Sequence, residues 1–344
     1  MLKKTLITTI LLSCAGTLAQ ENPTWTSVPT RGDTLCSDGT PYRYYELRAN
    51  PKKLVVDFMG GGACWNDLTC GAGSNTYVPN LSSLQAPGAV GIYDKRNASN
   101  PVKDWSHVFV PYCTADVHLG NKVVKYKNGT VHHKGAVNTQ AVLGDIFKKY
   151  PELDQILVTG CSAGAYGSIM ATPYLTRQYP RARVVQFGDA GLGVTPSSFG
   201  AVGFNNWGAG SSIPDWIEGL KTIRADASRL DIAALYNVIG KTYPEARLSE
   251  VTSSTDVTQI GFYGLMKGIV QPDQTVAAEW MTAALRQLNT LASTTPNFSV
   301  YVYPGQQHCV INRPEFYSTT VSGVKLTDWL NQELQGKRPA PVLP

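Results

Sequence analysis

The chain has 344 residues, 43% of them hydrophobic, so it is long enough to bury a full core as one large domain or two small ones. Only 16% of residues are charged, the formal net charge is +5, and the basic residues are dispersed without a block of five or six. That pattern gives no support to nucleic-acid binding or to adsorption on a membrane surface.

In chain order, residues 1–19 read as a secretion signal: Lys3 and Lys4, a mostly apolar run from Leu6 to Leu12, then small residues ending at Ala19. The apolar run is too short to span a bilayer, and no later stretch would make a membrane helix. Leu11-Leu12-Ser13-Cys14 loosely resembles a bacterial lipoprotein box, which makes a lipid anchor on Cys14 the minor alternative. Residues 20–40 read as polar and turn-rich, and Tyr42 to Leu47 as an early strand. Lys53 to Met59 is a strand that runs into Gly60-Gly61-Gly62-Ala63-Cys64-Trp65. Residues 66–105 have little periodicity and read as a long loop above the strand ends. His107 to Tyr112 is the next strand, and Gly135 to Tyr150 an amphipathic helix.

Gln155 to Thr159 is an apolar strand leading into Gly160-Cys161-Ser162-Ala163-Gly164, and a small-residue helix leaves it from Ala163 to about Gln178. This is the layout of a nucleophile elbow, in which a buried strand turns sharply into a helix with a hydroxyl at the apex. A strand from Arg183 to Phe187 follows and ends at Asp189. Residues 194–245, with Trp207, Trp216 and Tyr236 among polar positions, read as a helical, cap-like insertion beside the site. Arg247 to Thr252 is a strand before Asp256. Gln274 to Leu291 is a helix with Val276, Trp280, Met281, Leu285 and Leu288 inward. Asn297 to Tyr303 is the last strand, ahead of His308-Cys309, and Val324 to Leu334 is a terminal helix. The repeated strand, loop, helix order predicts an α/β fold with a mostly parallel sheet. One domain is expected over residues 20–338, with a disordered tail over 339–344.

A serine hydroxyl needs a base to take its proton, and imidazole is the usual one near neutral pH. Of five histidines only His308 follows the final strand, where the Ser, Asp, His order places the base. The carboxylate that orients it should end a strand between positions 162 and 308. Asp189 and Asp256 both qualify, and Asp256 holds the commoner position. Gly60-Gly61-Gly62 after a strand suits backbone donors to an oxyanion. Neither a Cys-x-x-Cys pair nor a His-Glu-x-x-His helix occurs, and adjacent His132 and His133 point apart in an extended chain, so no catalytic metal and no cofactor are expected.

Once Cys14 is set aside, Cys36, Cys64, Cys70, Cys113, Cys161 and Cys309 allow fifteen connectivities. Cys64 and Cys70 can close a small loop. Cys161 precedes the serine and Cys309 follows the histidine, so a bridge between them would pin the elbow to the histidine loop. This pairing is similar to that of the tannase and feruloyl esterase family. Sequons at Asn80, Asn97, Asn128 and Asn297 fit a secreted glycoprotein.

Cys36-Ser37-Asp38-Gly39-Thr40, the glycine triplet with Cys64 and Cys70, Pro111-Tyr112-Cys113 with Asp116, the elbow, Asp256 with Gln259, and His308-Cys309 together resemble the pectin acetylesterase and Notum family. The likeness runs in order from about Cys36 to Ile311. It implies a secreted α/β-hydrolase acting on oxygen esters, either acetyl groups on pectin or a lipid acyl ester on a protein. It implies Ser162, Asp256 and His308 as a triad, and oxyanion donors at the backbone of Gly62, Ala63 and Ala163. It also implies Cys36–Cys113 and Cys64–Cys70 bridges, which leaves Cys161 with Cys309. Plant members usually carry tryptophan where this chain has Ala63, with Trp65 displaced past the cysteine. Gly61, Trp65, Asp116 and Asp189 are expected to line the substrate site. An acetylated polysaccharide or small-acyl ester is the expected substrate, and a monomer the expected state.

Overall fold

The computed structural model describes residues 24–70 and 73–344. The signal segment and Cys14 lie outside these residues. Apolar side chains on alternate positions build the sheet: Leu54, Val56 and Phe58 pack on one face and Val55 on the other, as do Ile156 and Val158 against Leu157. Strands buried on both faces read as continuous apolar runs and require cover on both sides.

The eight-stranded sheet uses β1 (Trp25–Pro29), β2 (Arg43–Leu47), β3 (Asn50–Phe58), β4 (Trp105–Val110), β7 (Gln155–Cys161), β8 (Arg183–Asp189), β9 (Arg247–Ser253) and β10 (Phe298–Tyr303). Their order is β1-β2-β4-β3-β7-β8-β9-β10. The pairs β1·β2 and β2·β4 are antiparallel, and all the others are parallel. Strands β5 (Lys122–Tyr126) and β6 (Gly129–His133) form a separate hairpin, as do β11 (Thr320–Val321) and β12 (Val324–Lys325).

Helices α1 (Gly135–Lys149) and α2 (Ala163–Gln178) cover one face of the sheet. Between β8 and β9 lie α3 (Phe199–Val202), α4 (Phe204–Trp207), α5 (Lys221–Ala225) and α6 (Ile232–Thr242). After β9 come α7 (Val257–Met266) and α8 (Gln274–Thr294), and α9 (Leu326–Leu334) packs on the opposite face. The result is a mostly parallel α/β sheet flanked by helices, of the α/β-hydrolase type. Among the described residues no helix is long and apolar enough to cross a membrane.

Three expectations change. Residues 25–29 form an edge strand rather than a loop; only Trp25 and Val28 are half-buried there, so the alternation in sequence is weak. Leu285 is 50% exposed and does not face inward with Trp280 and Leu288. The tail expected to be disordered instead runs beside β10: Val342 donates to Val300 and accepts from Val302, and its side chain is buried. An apolar Val342 next to an unpaired sheet edge is reason enough for the segment to dock.

All three disulfides are present: Cys36–Cys113, Cys64–Cys70 and Cys161–Cys309.

Candidate active site

Strand β7 delivers Ser162 at φ 58°, ψ −121°, the strained conformation of a sharp strand-to-helix turn. A Cβ on Gly164 would fall on the carbonyl of Phe58, so only glycine lets α2 leave so close to β3. The Ser162 N–H donates to the Asp189 carbonyl at 2.7 Å, which ties the apex to the end of β8.

Asp256 caps α7. Its Oδ1 accepts from the N–H groups of Thr258 and Gln259, each at 3.0 Å, and the side-chain amide of Gln259 donates to Oδ2 at 3.0 Å. The same amide donates to Thr252, and the Gln259 oxygen accepts from the Leu192 N–H. Against this fully buried carboxylate lies His308, with Nδ1 at 2.8 and 3.0 Å from its two oxygens. Such a partner holds the proton on Nδ1 and leaves Nε2 as the basic nitrogen. Among the described residues Nε2 of His308 has no hydrogen-bond partner, and His308 and Ser162 line one pocket. Cys161, beside Ser162, and Cys309, beside His308, are bonded to each other with their own Cα atoms 5.8 Å apart.

Asp189 does different work. Its Oδ2 accepts from the N–H groups of Val310 and Ile311, both at 2.7 Å, and it is fully buried. Burial pushes its carboxyl up to about 6, against the pull of those two donors. It therefore fixes the backbone after Cys309 and does not line the pocket. Asp116 is also fully buried, and accepts from the Thr114 hydroxyl and from the N–H groups of His118 and Gly135. Burial raises it to about 7.

The glycine turn corrects one expected oxyanion donor. The Ala63 N–H is already spent on the Thr76 carbonyl at 2.9 Å, while Val78 N–H donates to the Gly61 carbonyl. A trans peptide points its N–H opposite to its C=O, so the Gly62 N–H faces away from Val78. Tyr112 locks the next peptide: its hydroxyl donates to the Gly62 carbonyl at 2.9 Å and accepts from the Val117 N–H at 2.8 Å. Gly62 itself has φ +75°, and a Cβ there would strike the Thr76 carbonyl. The other two expected donors, Gly62 and Ala163, both line the pocket.

The other expected lining residues stand behind the walls. Trp65 is buried and packs edge-on against Phe199, and Gly61 lies against the Tyr112 ring. The pocket is a cavity of about 70 Å³ whose walls are apolar and aromatic, including Tyr166, Phe199, Phe204, Trp207, Phe262 and Trp280. Three of these belong to residues 194–245. Tyr166 lies four residues after Ser162 on α2, a helical spacing that marks a neighbour on the same face. Gln259 lies three after Asp256 for the same reason.

A family model described as Pectinacetylesterase matches residues 19–199, slightly more than half of the sequence. The chain belongs to the pectinacetylesterase family. Among its relatives, palmitoleoyl-protein carboxylesterase notum2 of Xenopus laevis is 32% identical over 143 residues, 39% of this chain and 29% of the relative. Pectin acetylesterase 5 of Arabidopsis thaliana is 25% identical over 172 residues, covering 46% and 39%. Inactive palmitoleoyl-protein carboxylesterase notum1b of Danio rerio is 34% identical over 111 residues, covering 30% and 76%. The match spans less than two fifths of the first two relatives' own length.

Proposed function

We propose that the protein is a secreted serine carboxylesterase, and that its leading substrate is an acetylated cell-wall polysaccharide. The observation that carries the reading is the Asp256–His308 pair facing the same pocket as the strained Ser162. Three disulfides support an oxidising, extracellular location.

In this mechanism Nε2 of His308 takes the Ser162 proton as Oγ attacks the ester carbonyl. The N–H groups of Gly62 and Ala163 hold the oxyanion, each worth about 3–4 kcal/mol of barrier. Asp256 keeps Nδ1 protonated and stabilises the imidazolium. The alcohol leaves with the proton from Nε2, and water then repeats the sequence to release the acid.

The aromatic pocket favours a second reading, an ester with a longer, lipid-like acyl group, because apolar walls reward apolar chains. Rates on p-nitrophenyl esters of increasing length separate the two: a maximum at acetate supports deacetylation, and a maximum at longer chains supports the second reading. A catalytically silent binding protein is the reading from another class. A fluorophosphonate probe should label the wild type and not Ser162→Ala; absence of labelling on the wild type overturns the esterase reading.

Glycosylation is proposed at Asn80, Asn97 and Asn128 only. The amide nitrogen of Asn297 is buried and donates to the carbonyls of Tyr243 and Ala246, so the fold leaves no room for a glycan there.

A further inference from the structure

A buried carboxylate can turn about its Cβ–Cγ bond unless its oxygens have fixed partners. In Asp256, Oδ1 has two of them in the backbone of α7, the N–H groups of Thr258 and Gln259. Oδ2 lies 2.8 Å from Nδ1 of His308, and among the described residues its one other hydrogen-bond partner is the side-chain amide of Gln259, at 3.0 Å.

The orientation of that amide is forced. A carboxylate only accepts and a backbone N–H only donates, so Nε2 of Gln259 faces Asp256 and Oε1 faces the Leu192 N–H, 3.2 Å away. Nε2 also donates to the Thr252 hydroxyl at 3.0 Å. The polar atoms of this one side chain are thus divided among the residue that caps α7, strand β9 and the chain after β8.

The Leu192 peptide is held from both sides, its N–H by Gln259 and its carbonyl by the side-chain amide of Gln287 on α8. It sits between Ala190, whose φ is +60°, and Gly193, Val194 and Thr195. These four residues line the pocket that holds Ser162 and His308, and Gln259 lines it with them. A single amide therefore joins the carboxylate that orients His308 to a wall of the pocket.

We infer that Gln259 is a positioning residue for ester hydrolysis: it keeps the Asp256 carboxylate turned towards His308 and holds that pair in register with the pocket wall. The inference rests on the esterase reading and adds a fourth side chain to the three that carry the reaction. Gln259 passes no proton in the cycle. It acts through Asp256, and Asp256 through His308, so its loss should slow the chemical step beyond any change in substrate affinity.

The test measures kcat and KM of the full chain on p-nitrophenyl acetate. Gln259→Met keeps the length of the side chain and removes its amide. It should lower kcat roughly 10–100-fold, the value of one hydrogen bond to a charged group. Gln287→Met frees the same Leu192 peptide without touching Asp256, so it should reproduce any change in KM and leave kcat within about twofold of wild type. Thr252→Val is nearly isosteric and leaves the Gln259 amide freer to turn; it should lower kcat roughly 2–10-fold, and it reads the same effect if Gln259→Met does not fold. Wild-type kcat in folded Gln259→Met overturns the positioning role, as does wild-type kcat in Thr252→Val where Gln259→Met is unfolded. Equal losses of kcat in Gln259→Met and Gln287→Met also overturn it, because the effect would then come through the wall alone. A wild type without turnover overturns the esterase reading and the positioning role with it.

Discussion

Cys161 and Cys309 are bonded across 148 residues of chain, and through them the residue before Ser162 is tied to the residue after His308. Three non-glycine residues around this bond, Ser162, Ala190 and Cys309, have φ near +60°. Such conformations cost of order 1–3 kcal/mol each and persist only where the surroundings impose them. Cys161→Ala with Cys309→Ala should therefore lower unfolding free energy by roughly 2–5 kcal/mol in urea titration. Turnover of p-nitrophenyl acetate should fall under conditions where the variant is still folded. Full turnover in the folded double variant would show that the bond is not needed to align the site.

Asp189 ends β8 and Asp256 lies three residues beyond β9, yet only Asp256 touches His308. Asp256→Asn should cut kcat by several orders of magnitude, about 10⁴-fold by analogy with the loss of an orienting carboxylate elsewhere. Asp189→Asn should act mainly on stability, since it loosens the backbone at Val310 and Ile311. Steady-state kinetics beside thermal melts separates these outcomes, and a larger kcat loss from Asp189→Asn contradicts the assignment.

Tyr112→Phe removes the hydroxyl that holds the Gly62 carbonyl and leaves the Val117 N–H without its acceptor. The Gly62 N–H then loses part of its fixed direction. We expect kcat to fall roughly 5–10-fold, equivalent to one ordinary hydrogen bond, with KM little changed. A rise in KM at constant kcat would place Tyr112 in substrate binding instead.

Burial raises the Glu250 carboxyl to about 8, although the Tyr236 hydroxyl donates to it. The folded chain therefore keeps a proton that the unfolded chain releases above its ordinary value of 4.5. Stability from this group is complete below that pH, declines as pH rises towards about 8, and is level beyond it. Glu250→Gln removes this dependence. Unfolding free energies at pH 5, 6.5 and 8 should drop less steeply in the variant than in the wild type, and parallel slopes would refute the assignment.

The sequence made the sheet legible because strands buried on both faces are apolar throughout, and the elbow legible because its glycines have no substitute. Position favoured Asp256 over Asp189 without fixing what Asp189 does; what distinguishes them is which loop each carboxylate meets. Ala63 could not be removed from the oxyanion donors without knowing that Thr76 folds back beside it. The aromatic pocket was also hidden, because Phe199, Phe204 and Trp207 converge through short helices that lack a clear period.

The outermost parallel strand, β10, would otherwise offer an open row of donors and acceptors to any passing strand. Val342 occupies part of that row, and the Ser299 hydroxyl and Trp329 indole hold the carbonyls of Pro339 and Ala340 beside it. Residues 339–342 thus hem part of the sheet, taking donors and acceptors that a strand from another molecule would need.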